Sequence, residues 1–323
     1  MPLLDLPLDE LHTYAGRNPR PADHAAYWDR ALAEMRAVDP DVELRSAEFT
    51  APFADCFDLY FTGVRGARLH SKLVQPKLLP GPNQGKGLVQ FHGYTGDAGD
   101  WMGLIPWAAA GFTLAALDCR GQGGTSEDPG GVAGNTHHGH IIRGLDADPS
   151  GEDLYYRQVF LDAAQLAGLV MNFEQVNENR VGTLGGSQGG GLALACAALE
   201  PRIKRTVAQY PFLCDYQRVW EMDQATTAFK ELVQFFRMTD PTHERKAEWF
   251  TRLGYIDVQH LADRIEADVL MGVGLMDAVV PPSTQFAAYN KITSPKDVVV
   301  YPDFKHERLP GFFDRGFEFL GGV

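Results

Sequence analysis

The chain has 323 residues, 45% hydrophobic and 22% charged, a globular composition that excludes a disordered chain. Lys plus Arg number 29 against 42 Asp plus Glu, a formal net charge of −13 that repels a nucleic-acid duplex and argues against that partner. No stretch of about 18 apolar residues is available to cross a membrane. The opening MPLLDLPLDELHTY carries Asp5, Asp9 and Glu10 and lacks the basic-then-apolar order of a secretory leader, so a cytoplasmic location is expected. Cys56, Cys119, Cys196 and Cys214 form no C-x-x-C pair, and the expectation is four reduced, mostly buried thiols and no zinc site.

In chain order, Pro21-Ala22-Asp23 opens a helix over HAAYWDRALAEMRAV, with Tyr27, Leu32, Met35 and Val38 on one face and Pro40 as its stop. Residues 42–75 alternate like strands, broken at Gly63 and Gly66 as in a hairpin, and KLLPGPNQGKG reads as a turn-rich loop. GLVQFHG is a short apolar run of the buried, parallel kind, followed by a helix in MGLIPWAAAG closed by Gly111. FTLAALDCRGQGG is a second such strand with a Gly-rich loop, and DLYYRQVFLDAAQLAGLVMNF reads as a long amphipathic helix. Strand, tight turn and helix follow in NRVGTLGGSQGGGLALACAAL, then a strand in RIKRTVAQYPF. Residues 215–262 are charged and helical and interrupt the rhythm, so they read as an insertion lying over the sheet edge. ADVLMGVGLMD and DVVVYPDFKHE resume the strands, and a helix at 310–320 ends the chain. The alternation predicts an α/β fold, a mostly parallel central sheet with helices on both faces. Residues 1–323 are expected to be a single domain, with an N-terminal extension of about residues 1–40 and the insertion at about 215–262.

The chemistry centres on Gly185-Gly186-Ser187-Gln188-Gly189, a G-x-S-x-G between strand and helix. Small residues around Ser187 permit a sharp turn that exposes its hydroxyl at the strand end, against the positive end of the following helix. A serine hydroxyl is a weak nucleophile and needs a base held by an acid, here expected in the chain order Ser, Asp, His. Asp277 follows the strand VLMGVG and His306 follows VVVYP, both at strand ends. Asp268 precedes its strand, Asp303 stands only three residues before His306, and Asp257, His243 and His260 belong to the insertion. An oxyanion hole needs backbone N–H donors. The expected two are those of Gln188 and of Tyr94 in the loop His92-Gly93-Tyr94-Thr95-Gly96, where His92 shapes the turn. Trp107, Phe212, Val279 and Val280 are expected to narrow the acyl pocket. The His137-His138-Gly139-His140 cluster could hold zinc, but it lies on a Gly-containing loop without helical spacing, and the preferred reading is a loop at the site mouth with no metal.

With these residues in place, the sequence resembles the acetyl xylan esterase/cephalosporin C deacetylase group, carbohydrate esterase family 7 of the α/β-hydrolase superfamily. The resemblance rests on Arg120-Gly121-Gln122, Gly185-Gly186-Ser187-Gln188-Gly189 and His306-Glu307 in order, with HGYTG at 92–96, PPSTQFAAYN at 281–290 and LDLPLDELHTY near the start. It covers almost the whole chain. It implies Ser187, Asp277 and His306 as a catalytic triad, Tyr94 and Gln188 as oxyanion donors, and small acetylated substrates, with no cofactor. It also implies a homo-hexamer whose sites face an internal cavity closed to polymers. The loop at 144–153 looks longer than usual for the family. Two other readings fit less well. A prolyl-oligopeptidase-type serine peptidase lacks room here for its propeller, and a non-catalytic binding protein of this fold would lack a triad member.

Overall fold

The computed structural model describes residues 4–78, 81–130, 139–222 and 227–323. Its strands are β1 (Glu43–Ser46), β2 (Ala54–Thr62), β3 (Arg68–Pro76), β4 (Gly85–Phe91), β5 (Phe112–Leu117), β6 (Val176–Gly186), β7 (Arg205–Gln209), β8 (Asp268–Gly274) and β9 (Lys296–Tyr301). They form one sheet in the order β1-β2-β3-β5-β4-β6-β7-β8-β9. β1 to β3 are antiparallel, and β3 meets β5 antiparallel. From β5 through β4 to β9 every pairing is parallel. This is the α/β-hydrolase fold.

The helices are α1 (Leu8–Leu11), α2 (His24–Arg36), α3 (Trp101–Ala109), α4 (Tyr155–Met171), α5 (Gln188–Leu199), α6 (Tyr216–Glu221), α7 (Lys230–Thr239), α8 (Lys246–Leu253), α9 (Pro282–Tyr289) and α10 (Phe312–Gly321). No helix among the described residues is long and apolar enough to cross a membrane. Helices cover both faces of the sheet, and β5 shows why its sequence is apolar throughout. Alternate strand residues point to opposite faces. Ala115 and Leu117 join the core beneath α4 and α5, while Leu114 and Ala116 join the one beneath α3 and α10. All four cysteines are free and buried.

Two expectations change. Helix α4 is not half-exposed: of its residues only Gly168 and Leu169 escape full burial. Its outward side is covered by α2, where Trp28 stacks on Phe160 with centroids 5.9 Å apart and Glu34 takes an ion pair from Arg157 at 2.6 Å. The insertion, in turn, does not lie over the sheet edge. Phe229 stands 4.4 Å from Phe212, at the end of the inner strand β7, and Glu231 reaches the loop after β4. Phe229, Phe235, Phe236, Trp249 and Phe250 are at most 2% exposed and share the core of α4 and α5. The insertion therefore caps the C-terminal ends of the central strands, because that is where its apolar face finds cover.

The N-terminal segment docks on the base of this cap. Asp215 accepts hydrogen bonds from the Tyr14 hydroxyl at 2.8 Å and from the N–H of Arg17 and Asn18 at 3.0 and 2.8 Å. Beneath the loop after β5, Arg120 and Asp162 form a two-pronged ion pair, both contacts 2.6 Å, with each side chain at most 2% exposed. Removing one partner strands the other charge in the core. We expect Asp162→Ala to lower unfolding free energy by about 3–5 kcal/mol, read from urea melts; a loss under about 1 kcal/mol, the size of a surface pair, would contradict it.

Candidate active site

Glycines dictate the turn that presents Ser187. Ser187 has φ 58° and ψ −122°, a conformation that a side-chain-bearing residue adopts only when its surroundings impose it. A Cβ on Gly189 would lie 2.1 Å from the Phe91 carbonyl oxygen, and one on Gly185 would lie 2.1 Å from the Gly189 carbonyl oxygen. Only glycine lets α5 start this close to β4 and β6. The turn is tied to β7 and beyond: Ser187 N–H donates to the Gln209 carbonyl, and Phe212 N–H donates to the Ser187 carbonyl, both at 3.0 Å.

The loops after β8 and β9 bring the partners. His306 Nε2 lies 3.1 Å from Ser187 Oγ, and its Nδ1 lies 2.8 Å from Asp277 Oδ2. Asp277 is fully buried, and its other oxygen accepts the N–H groups of Val279 and Val280 at 2.9 and 2.8 Å. An ionised Asp277 can only accept, so Nδ1 carries the ring proton and Nε2 is left to accept from Ser187. The Tyr210 ring packs on the imidazole with centroids 4.3 Å apart. Asp268 opens β8, at the other end of the sheet. His260 Nε2 donates to the Asn18 carbonyl at 3.0 Å, and His243 packs against Trp220 and Phe236.

The loop after β4 is held by side-chain amides. Gln122 Oε1 accepts the Thr95 N–H at 2.8 Å, and Gln122 Nε2 donates to Gln188 Oε1 at 2.9 Å and to the Tyr155 hydroxyl at 3.0 Å. The Gln188 side chain is fully buried and also accepts from the Tyr156 hydroxyl at 2.8 Å. His92 joins the same brace: its Nδ1 donates to the Gly93 carbonyl at 2.7 Å, and its Nε2 accepts the Cys119 N–H at 3.0 Å. Burial lowers its pKa, in keeping with a neutral ring that pins the turn. Gly96 N–H donates to Gly93 and Thr95 N–H to Gln122, which leaves the Tyr94 N–H for another acceptor. The Gln188 N–H opens α5 and has no carbonyl in helical register behind it.

The remaining expected residues divide. Phe212 is buried, with its ring 5.8 Å from that of Tyr94, and Val279 and Val280 flank Asp277. Trp107 is not in their company. It packs edge-on against Phe112, the first residue of β5, at 5.4 Å. Helix α3 runs antiparallel to its strands, so its last turn returns to their starting ends. With Phe312, Phe313 and Phe317, Trp107 lines an apolar cavity of about 250 Å³ on the opposite sheet face. His137 and His138 lie outside the described residues. His140 stacks on Tyr155 at 4.7 Å and meets Tyr94 edge-on at 5.5 Å; burial lowers its pKa to about 4. The 144–153 loop packs against the N-terminal segment, the β2–β3 turn and the cap: the Gly151 carbonyl accepts from the Tyr27 hydroxyl at 2.7 Å, Asp153 pairs with Arg65, and the Leu145 carbonyl accepts from Arg252.

Sequence reasoning missed what Gln122, Tyr156 and Glu231 do. Gln122 stood within a recognised motif without a role, and only the fold reveals that it joins the two turns. The geometry can carry nucleophilic acyl transfer: a hydroxyl aligned with a base, an acid behind the base, and two backbone donors nearby. Asp277→Asn, which spoils the tautomer, should lower kcat by about 10⁴ with the fold intact, whereas Asp303→Asn should cost less than about threefold. The reverse ranking in steady-state kinetics would assign the wrong carboxylate.

Comparison with known proteins identifies a family. The profile of the family described as Acetyl xylan esterase (AXE1) matches residues 1–322. The crystal structure of Acetyl Xylan Esterase 1 from Thermoanaerobacterium sp. JW/SL YS485 superposes with TM-score 0.95 at 56% identity, covering 99% of each chain. The acetyl xylan esterase from Paenibacillus sp. R4 gives TM-score 0.93 at 34% identity, covering 98% of this chain and 100% of that one. The acetyl esterase Axe7A of Xylanibacter ruminicola is 26% identical over 301 residues, 88% of this chain. This chain spans 63% of that relative's length.

Proposed function

Because the chain belongs to the acetyl xylan esterase family, we propose that it is a serine carboxylic ester hydrolase removing acetyl groups from small acetylated sugars. Xylo-oligosaccharides, and related acetyl esters such as cephalosporin C, are the substrates of this reading. The observation that carries it is the aligned relay Ser187 Oγ, His306 and Asp277, with contacts of 3.1 and 2.8 Å. His306 takes the proton as Ser187 Oγ attacks the acetyl carbonyl, and Asp277 stabilises the imidazolium. The N–H groups of Tyr94 and Gln188 receive the developing oxyanion. His306 returns the proton to the leaving alcohol, and water then releases acetate from the acetyl-serine by the same steps. The chemistry calls for no metal or organic cofactor.

The small-acyl preference rests on Phe212, Val279 and Val280, which crowd the end of the sheet beside Ser187 and Asp277. In a filled pocket each misfit costs about 1–3 kcal/mol, roughly tenfold to a hundredfold in kcat/KM. Hydrolysis of p-nitrophenyl acetate should thus exceed that of the butyrate by at least about tenfold, with the octanoate nearly inert, and Phe212→Ala should narrow the gap. Ser187→Ala should abolish at least about three decades of acetate turnover. Equal rates on octanoate and acetate, or more than about a tenth of the activity in Ser187→Ala, would overturn the reading.

A cytoplasmic homo-hexamer belongs to the same reading. Its support from leftover apolar surface moves, because the insertion's aromatic residues are consumed in the core. Exposed apolar side chains stand chiefly on α3 and α10, where Met102, Phe313 and Phe317 are 66%, 56% and 41% exposed, with Met238 on α7 of the insertion at 71%. Light scattering should return a mass several times the 35.6 kDa of the chain; a monomer mass at micromolar concentration would refute it.

A further inference from the structure

Glu231 is a charged side chain in a place that costs it hydration. It is the second residue of α7 and faces inward with Leu232, Phe235 and Phe236, only 3% exposed. Among the described residues its donors are neutral. Oε1 accepts the Tyr94 hydroxyl at 2.8 Å, Oε2 accepts the Ile142 N–H at 3.1 Å, and the N–H groups of His140 and Ile141 also point toward it. The backbone wraps so closely that a Cβ on Gly139, which has φ +109°, would lie 2.4 Å from the carboxyl carbon. The Tyr94 hydroxyl is held from both sides, since it also accepts the His140 N–H at 2.8 Å. Burial pushes the Glu231 carboxyl up to about 7 despite these donors. A buried carboxylate paired only with neutral groups is a poor stabiliser, and an apolar side chain would serve the core better.

What the carboxylate does hold is the hydroxyl of Tyr94, the residue whose backbone N–H the serine-esterase reading assigns to the oxyanion hole. We propose that Glu231 is a positioning residue: by anchoring the Tyr94 hydroxyl it fixes the Tyr94 N–H toward the carbonyl oxygen that Ser187 attacks. The inserted cap thus contributes to the oxyanion hole without touching substrate. The loop after β4 is braced at Thr95 by Gln122 and at His92 by its own ring, while the side chain of Tyr94 between them packs on Phe212 and His140 and, among the described residues, takes its hydrogen bonds through its hydroxyl. A tilt of that ring swings the N–H, and oxyanion stabilisation depends steeply on donor placement.

The proposal rests on the serine-esterase reading, so the experiment separates the two. The full chain, Tyr94→Phe, Glu231→Gln and the double variant are assayed with p-nitrophenyl acetate, and each is treated with diethyl p-nitrophenyl phosphate, which phosphorylates an activated serine. Tyr94→Phe keeps the ring and the N–H and removes only the anchored hydroxyl. Glu231→Gln keeps the shape and turns an amide donor toward donors. Each single variant should lose about tenfold to a hundredfold in kcat, less than removing a donor outright. KM should move less than about threefold, since ground-state binding is untouched. The double variant should fall no more than about twofold below the worse single one, because both changes break one link. Should Glu231→Gln fail to fold, Tyr94→Phe decides. Labelled Ser187 with both kcat values within about twofold of the parent overturns the proposal alone, as do losses carried by KM or losses that add. A parent enzyme whose Ser187 takes no label overturns the reading and the proposal together.

Discussion

The site depends on one backbone conformation, that of Ser187. Its φ of 58° is held in place because α5 has nowhere else to begin: Gly185 and Gly189 allow backbone contacts that any Cβ would block. Two hydrogen bonds at 3.0 Å lock the turn to the end of β7. The strain aims the hydroxyl outward and, by the same geometry, leaves the Gln188 N–H at the helix start without an acceptor among the described residues. The proposed nucleophile and one proposed oxyanion donor both follow from this one turn.

Around that turn the chain spends buried polar groups on holding loops. Gln122 and Gln188 interlock to fix the loop after β4 relative to the Ser187 turn. Asp277 is fixed by two N–H groups of its own loop before it meets His306. Arg120 and Asp162 brace the start of the Gln122 loop from below. Each loop leaves the sheet at a strand's C-terminal end, and each is tied to a neighbour by a buried or half-buried polar group. The cap formed by α6, α7 and α8 closes the ring of contacts.

Much of this was legible in the residues themselves. Buried parallel strands announce themselves as short apolar runs, a nucleophile turn as glycines around a serine, and the acid and base as residues just past strand ends. These are local signals, and Ser187, Asp277 and His306 meet where such signals put them. Trp107 parts from the other pocket residues because distance along the chain from the Tyr94 loop is not distance in space: α3 carries it along the opposite face of the sheet, against Phe112 at the start of β5 and into a cavity that Gly185 and Gly186 also line. The burial of α4 was hidden because Arg157, Gln158 and Asp162 read as a solvent face, and only the fold shows α2 and Arg120 answering them. Glu231 was invisible for the same reason. A glutamate in a charged helical stretch reads as surface, and nothing local says that a loop ninety residues earlier will fold its amides around it.

The central claim is a covalent acetyl group on one serine. The direct measurement is mass spectrometry of enzyme quenched in acid during turnover of p-nitrophenyl acetate, followed by peptide mapping. The account predicts a single acetyl group per chain, on the peptide that carries Ser187. Turnover with that peptide unmodified, or with the acetyl group on another residue, would contradict it.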